Sequence, residues 1–460
     1  MRAGGKRHAL SNAAIDVILG AMPAADATAR RPTRWERPMR SARRVAAAVV
    51  GVAAVLTATA CGSSDDGGDA SGTATVEVFT WWADGGEKAG LDGLVSQFAK
   101  DCAGQAFENG AVAGGAGANA KRVLAARLQQ GDPPDTFQAH AGAELLDYIH
   151  AGQLVDVSAD YAGWGLKQAF PPGLIDNLTV DGKIYSVPSS IHRANVIWTN
   201  KTVLADAGVT GTPADLAAFI ADLDKVRASG IKAPLAVGRD WTQLMLLESV
   251  LITDLGAEKF TGLWDGGTDW DDAGVTKSID DFKRLLAYAN TDRDARDWTD
   301  AEKLVIDGKA AYQLMGDWEA ADLDAKGVTD YGWFTFPGNG ATFQWLADSF
   351  VLPKGATNVD GAKCWLKTVG SAAGQKAFNT RKGSIPARTD ATPADYPPYQ
   401  QAAMEDWKAG TQAPSCAHGS ACSQGWQRAA NSALGAFSTD QDANALQKTL
   451  VAAAQQFVMK

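Results

Sequence analysis

Short β-branched or aromatic runs alternate along the chain with stretches whose apolar residues recur at helical spacing. Residues 75–81 (TVEVFTW) alternate and predict a strand, while Leu91, Leu94, Val95 and Phe98 share one face of a helix predicted over 90–101. A second amphipathic helix is expected over 119–130, closed by Gly131-Asp132-Pro133-Pro134, and 135–139 reads as a buried strand. Further strands are expected over 183–187, 195–199, 310–315, 331–336 and 350–353. Helices are expected over 213–228 (with Thr212 as N-cap), 278–290, 300–307, 362–369, 374–378 and along the tail 431–459. This alternation predicts α/β sheets with helices on both faces, and no internal repeat is visible.

The stretch 39–61 departs from that pattern. Arg40, Arg43 and Arg44 precede an apolar run over 45–56, and Ala58-Thr59-Ala60 put small residues directly before Cys61. This is the form of a lipoprotein export signal, with lipidation expected on Cys61 and a leader over 1–60. An uncleaved membrane anchor is the alternative, although the run is shorter than the roughly 20 residues that a spanning helix needs. Both Met1 and Met39 remain open as the start. The polar, Gly-rich stretch 61–72 has little to bury and is expected to act as a flexible tether.

Removing 1–60 leaves 33 Lys and Arg against 50 Asp and Glu, a formal charge of −17. So acidic a chain repels phosphate backbones, which argues against nucleic acid as a partner. About 400 residues exceed what one hydrophobic core usually holds, so two lobes are expected. Four cysteines besides Cys61 favour disulfides in an exported chain, with three pairings possible. Cys416 and Cys422 are close enough to staple a loop around His418, which leaves Cys102 and Cys364 to join distant segments. Four free thiols are the alternative.

Fifteen tryptophans occur, and Trp81, Trp82, Trp241, Trp318 and Trp345 sit at element ends or in loops. An indole face packs against the C–H face of a pyranose, while the hydroxyls need donors and acceptors in the ring plane. Glu87, Gln138, His140, His192, Asn195, Gln243, Asp317, Asp348, Lys382 and His418 supply both kinds. Any one of these tryptophans is as readily a core filler, so the inference rests on the set. The glycines of 114–117 lack the Gly-Lys-Ser/Thr ending of a phosphate loop and read better as a close-approach turn. No HExxH or CxxC pair points to a metal, no GxSxG elbow is present, and no cofactor is expected. The enzymatic alternative is a secreted glycoside hydrolase using Glu87 and Asp317 as its acid pair.

Several segments resemble the extracellular solute-binding proteins of ABC sugar importers (family 1), and most closely the glucose/mannose-binding proteins. They are EVFTWWADGGE (77–87), QGDPPDTFQAHAG (130–142), SVPSSIHRANVIW (186–198), LMGDWEA (314–320), LADSFVLPKG (346–355), KGSIPAR (382–388) and AHGS around His418. The resemblance implies a two-lobed periplasmic-binding-protein-like α/β fold with hinge strands and an interlobe cleft. Lobe one would hold 73–190 and 332–384, and lobe two 195–330 and 388–460. That division puts Cys102 and Cys364 in one lobe and Cys416 and Cys422 in the other. It further implies ligand contacts from Trp81, Trp82, Glu87, Gln138, His140, Trp241, Asp317, Lys382 and His418. Supporting or hinge roles fall to His192, Arg193, Asn195, Gln243, Trp318 and Asp348. The expected protein is a lipid-anchored, extracytoplasmic monomer that is not an enzyme, and its partners are a small neutral sugar and an ABC permease.

Overall fold

The computed structural model describes residues 73–114 and 117–458; the leader, Cys61 and the tether over 61–72 lie outside the described residues. Strand Ala74–Phe79 pairs in parallel with Gln105–Asn109 on one side and with Thr136–His140 on the other. Asp348–Val351 runs antiparallel to Thr136–His140, and Ser186–Pro188 closes the five-stranded sheet. Val76, Val78, Phe137 and Ala139 are fully buried, as a sheet covered on both faces requires. Helices Gly85–Asp101, Val359–Gly370 and Ala372–Lys382 pack on this sheet and on one another. A disulfide joins Cys102, at the end of the first, to Cys364 in the second.

The second sheet runs in the order Tyr331–Thr335, Val196–Asn200, Tyr312–Met315, Leu235–Ala236. Residues 331–335 therefore pair with the second sheet, so a lobe-one segment beginning at 332 cuts through a strand of the other lobe. The backbone of this region is the helix Trp241–Asp265, which the pattern of apolar positions did not reveal. Every residue from Trp241 to Ile252 is buried, so the segment has no polar face to set a period. Gly256 interrupts it with non-helical backbone angles. The helix expected from 213 begins at Leu216, because Asp215 rather than Thr212 caps it and accepts from Ala218 N at 2.8 Å. Two C-terminal helices, Gln424–Asp440 and Ala443–Phe457, pack against each other and help cover this lobe.

Between the sheets, three chain segments run side by side. Ile191 and Ile385 exchange backbone hydrogen bonds of 2.9 and 3.0 Å, Ser189 N donates to Asp348 O at 2.8 Å, and Ala194 N donates to Gln344 O at 2.8 Å. A three-stranded sheet, Thr411–Pro414, Thr342–Leu346 and His192–Arg193, sits at this crossing. The loop that follows Thr411–Pro414 is closed by a Cys416–Cys422 disulfide. It also touches the first lobe, since Glu144 N and Ala143 N donate to the carbonyls of Gly419 and Ser420. It is thus held from both lobes rather than from the second alone.

Candidate functional site

A cavity of about 170 Å³ lies where the lobes meet. Its walls come from element ends, where side chains can project past the sheet. Trp81 follows the C-terminal end of strand Ala74–Phe79, His140 ends Thr136–His140, and Asp348 begins Asp348–Val351. Glu87 lies in the first turn of Gly85–Asp101, Trp241 and Trp318 open their helices, and Lys382 ends Ala372–Lys382. A Cβ at Gly117 would stand 2.9 Å from the Trp81 ring, and its φ of 91° suits glycine, so the loop needs that residue to lie against the indole. Ahead of Trp241, Asp240 holds a φ of 51°, a strained setting for a non-glycine that aims the indole inward.

The rings form one enclosure. His418 lies 5.4 Å from Trp241, 5.2 Å from Trp318 and 6.1 Å from His140, and Trp81 lies 5.1 Å from His140, all centroid to centroid. Lys382 Nζ sits 5.3 Å above Trp318 and 3.1 Å from Glu87 Oε1. Burial raises the pKa of Glu87, and Lys382 opposes that rise. Two of the lining side chains carry a buried polar atom, Trp241 Nε1 and His418 Nε2, that has no partner among the described residues.

Beneath the walls runs a chain of buried charges. His192 is fully buried, with Nδ1 2.5 Å from Asp317 Oδ1 and Nε2 3.0 Å from Asp348 Oδ2. With a carboxylate on each nitrogen, both must donate, so the ring is an imidazolium. Burial works against that charge, but Asp317 and Asp348 outweigh it and raise the pKa. Asp348 also accepts from Gln138 Nε2 at 2.9 Å. Burial would lift its carboxyl, yet His192 holds it well below the usual range. Glu144 is similarly pulled down to about 2, because Lys121 at 2.6 Å and His140 at 2.8 Å outweigh its burial.

Of the residues expected to touch ligand, the cavity gathers Trp81, Glu87, His140, Trp241, Lys382 and His418, joined by Trp318 and Asp348, which were expected only to support it. Trp82, Gln138 and Asp317 do not line it. Trp82 is wholly buried against Phe350 and Phe378. Gln138 is engaged by Thr80, Trp81 N and Asp348. Asp317 gives one oxygen to His192 and the other to Arg193 N at 2.9 Å, so neither is free for a sugar or for acid catalysis. With Asp317 spent, the Glu87/Asp317 pair of a glycoside hydrolase is not assembled. Arg193 bonds Asp406 and Thr335, Asn195 bonds Asn339 and Thr342 O, and Gln243 donates to Asp294, all outside the cavity. Asp84, Asp297, Trp298, Thr299 and Asp322 line it without having been singled out from the sequence. Asp322, one helical turn beyond Trp318, carried a readable signal.

The family model for bacterial extracellular solute-binding proteins matches residues 82–376. An uncharacterized ABC transporter extracellular-binding protein of Pyrococcus horikoshii is 33% identical over 379 residues, which cover 80% of this chain and 85% of its own length. A probable sugar-binding periplasmic protein of Mesorhizobium japonicum is 32% identical over 343 residues, 72% of this chain and 80% of its own. Among solved structures, a chitin oligosaccharide binding protein matches with a TM-score of 0.73 at 21% identity, covering 84% of this chain and 98% of that one, a likeness of fold. With a two-lobed fold and an aromatic, polar cleft at the lobe junction, the chain belongs to the bacterial extracellular solute-binding proteins.

Proposed function

We propose that the cleft captures one neutral monosaccharide of the glucose or mannose kind and that the protein presents it, chemically unchanged, to an importer's permease. The observation that carries this reading is the enclosure itself, with the rings of Trp81, Trp241, Trp318, His140 and His418 gathered around Glu87, Lys382 and Asp348. Indole faces pack against the C–H face of a pyranose, and carboxylate and ammonium tips meet its hydroxyls. The volume of about 170 Å³ falls below the roughly 300–1,000 Å³ of pockets for drug-sized ligands, which favours a single ring over an oligosaccharide. Neutrality is supported by the pairing of most wall charges within the protein, Glu87 with Lys382, Asp348 with His192, Asp322 with Lys326 and Asp297 with Arg239.

Trp81, Glu87, His140 and Lys382 would contact the sugar from lobe one, and Trp241 and Trp318 from lobe two, with Asp348 and His418 at the crossing. Lobe one is taken as 73–190 and the return segment through 384, without the strand 331–335, and lobe two as the remainder of the mature chain. Contacts from both lobes exist together only when the lobes meet, so ligand shifts the population towards the closed form. A lipid on Cys61 and the tether over 61–72 would keep this monomer at the outer membrane face. Calorimetry with glucose, mannose, galactose, xylose and short oligosaccharides tests the assignment. Binding confined to oligosaccharides, or none at all, would overturn it.

A further inference from the structure

His418 reaches the cleft on the stapled loop over 415–422, and what fixes that loop is a carboxylate that never touches the cavity. Glu248, fully buried in helix Trp241–Asp265, accepts from Cys416 N at 2.5 Å and Ala417 N at 3.2 Å on one oxygen. Its other oxygen faces Ser415 Oγ at 2.9 Å and Gln344 Nε2 at 2.8 Å. Ser415 Oγ in turn lies 3.1 Å from His418 Nδ1. Each link constrains the next. Burial pushes the Glu248 carboxyl up to about 7, so near pH 8 it is ionised and can only accept, and the single hydroxyl proton of Ser415 then points at Glu248. Towards His418 the serine oxygen can then only accept, so Nδ1 carries the imidazole proton. Burial holds His418 well below the ordinary imidazole pKa, so the ring is neutral and Nε2 keeps its lone pair. That nitrogen is buried and has no partner among the described residues, and its ring belongs to the residues that line the cavity.

We infer that Glu248 is a positioning residue that, through Ser415, sets the tautomer of His418, so that the cleft presents a hydrogen-bond acceptor at Nε2 and selects a ligand with a free hydroxyl donor there. The assignment of a ligand rests on the proposed sugar-binding function; the tautomer does not. A sugar that is deoxygenated or methylated at the facing hydroxyl would lose this contact, whereas one altered elsewhere on the ring would keep it.

The isosteric change Glu248→Gln tests the relay. Two obligate donors, Cys416 N and Ala417 N, hold the carbonyl oxygen of the substituted side chain on their side, which turns its new amide nitrogen towards Ser415 and Gln344. Gln344 Oε1 lacks a partner among the described residues and can accept by rotation of its own amide. Ser415 Oγ then accepts from the introduced amide, its own proton turns to His418 Nδ1, and the imidazole proton moves to Nε2. The full oxidised chain, labelled with ¹⁵N-histidine and held near pH 8, contains five histidines, and a His418→Gln variant assigns the signal. In the wild type the pyridine-type nitrogen of His418 should couple to both Hδ2 and Hε1, the mark of an unprotonated Nε2. In Glu248→Gln the pyridine-type signal should instead belong to Nδ1, the nitrogen that couples strongly to Hε1 alone, and affinity for the sugar found by calorimetry should fall about tenfold or more. Ser415→Ala should break the relay and give a mixture of tautomers. A wild-type His418 protonated at Nε2, or a folded Glu248→Gln protein with an unchanged tautomer, would overturn the inference whichever sugar binds. A switched tautomer in a protein that binds no sugar would instead count against the proposed function alone.

Discussion

Replacing His192 with phenylalanine separates charge from shape at the lobe crossing. Phenylalanine keeps a ring edge near Trp318, where the imidazole now lies 5.5 Å away at 68°, but removes the cation between Asp317 and Asp348. Asp317 would retain Arg193 N at 2.9 Å, and Asp348 would retain Gln138 Nε2 at 2.9 Å. Neither bond supplies a positive charge. Breaking a buried ion pair by removing one partner costs about 3–5 kcal/mol, a large share of a total stability of about 5–15 kcal/mol. The pH dependence sharpens the test. In the wild type the raised pKa of His192 means its contribution is complete below the ordinary imidazole value of about 6.5 and fades as pH climbs through the raised one. Asp348, held low, contributes fully above the ordinary value of about 3.9 and fades as pH falls. In the variant two buried carboxylates face each other, and one takes up a proton as the solution is acidified. Urea unfolding followed by tryptophan fluorescence should therefore show a loss of about 3–5 kcal/mol near pH 7, and a double variant that also carries Asp317→Asn, with no facing carboxylate left, should recover part of it. A cost under about 1 kcal/mol near pH 7, or a double variant no more stable than His192→Phe alone, would refute the charge argument.

Trp241→Ala should weaken sugar binding by about 1–3 kcal/mol, roughly 5- to 150-fold in Kd by calorimetry; an unchanged Kd in a folded variant would remove the indole from the ligand. Lys382→Met leaves Glu87 without its 3.1 Å partner, so affinity should fall by about 2 kcal/mol or more and gain a dependence on pH across the neutral range; a flat pH profile would show that Glu87 carries no charge in the cleft. Converting both Cys102 and Cys364 to serine opens a link across 262 residues within the first lobe and should lower stability by about 2–5 kcal/mol while leaving Kd unchanged, measured by thermal unfolding and calorimetry on the same samples.

Local pattern carried much of the first lobe. Residues 75–81 and 135–139 alternate or run apolar between turn signals, and the structure has strands at Ala74–Phe79 and Thr136–His140. The helix Trp241–Asp265 escaped because periodicity needs contrast, and a segment buried on all sides has none. Trp82 and Asp317 were drawn into the candidate site by their neighbours in sequence, yet adjacent positions on a strand end or turn face different ways. Trp81 turns to the cavity while Trp82 enters the core, and Trp318 turns to it while Asp317 is spent on His192.

What the amino-acid order determined by itself was the kind of molecule: alternating α/β elements, an excess of acidic charge, cysteines suited to oxidation, and indoles and polar tips in the proportions a sugar needs. Those properties depend on residue identity and on spacing within a few turns, which any reader of the chain can see. Only the tertiary structure decided which of those tips share a cavity, which carboxylate meets which histidine, and that Glu248 stands behind His418. Glu248 and Cys416 are 168 residues apart, and a hydrogen bond of 2.5 Å between them depends on the path of the whole intervening chain.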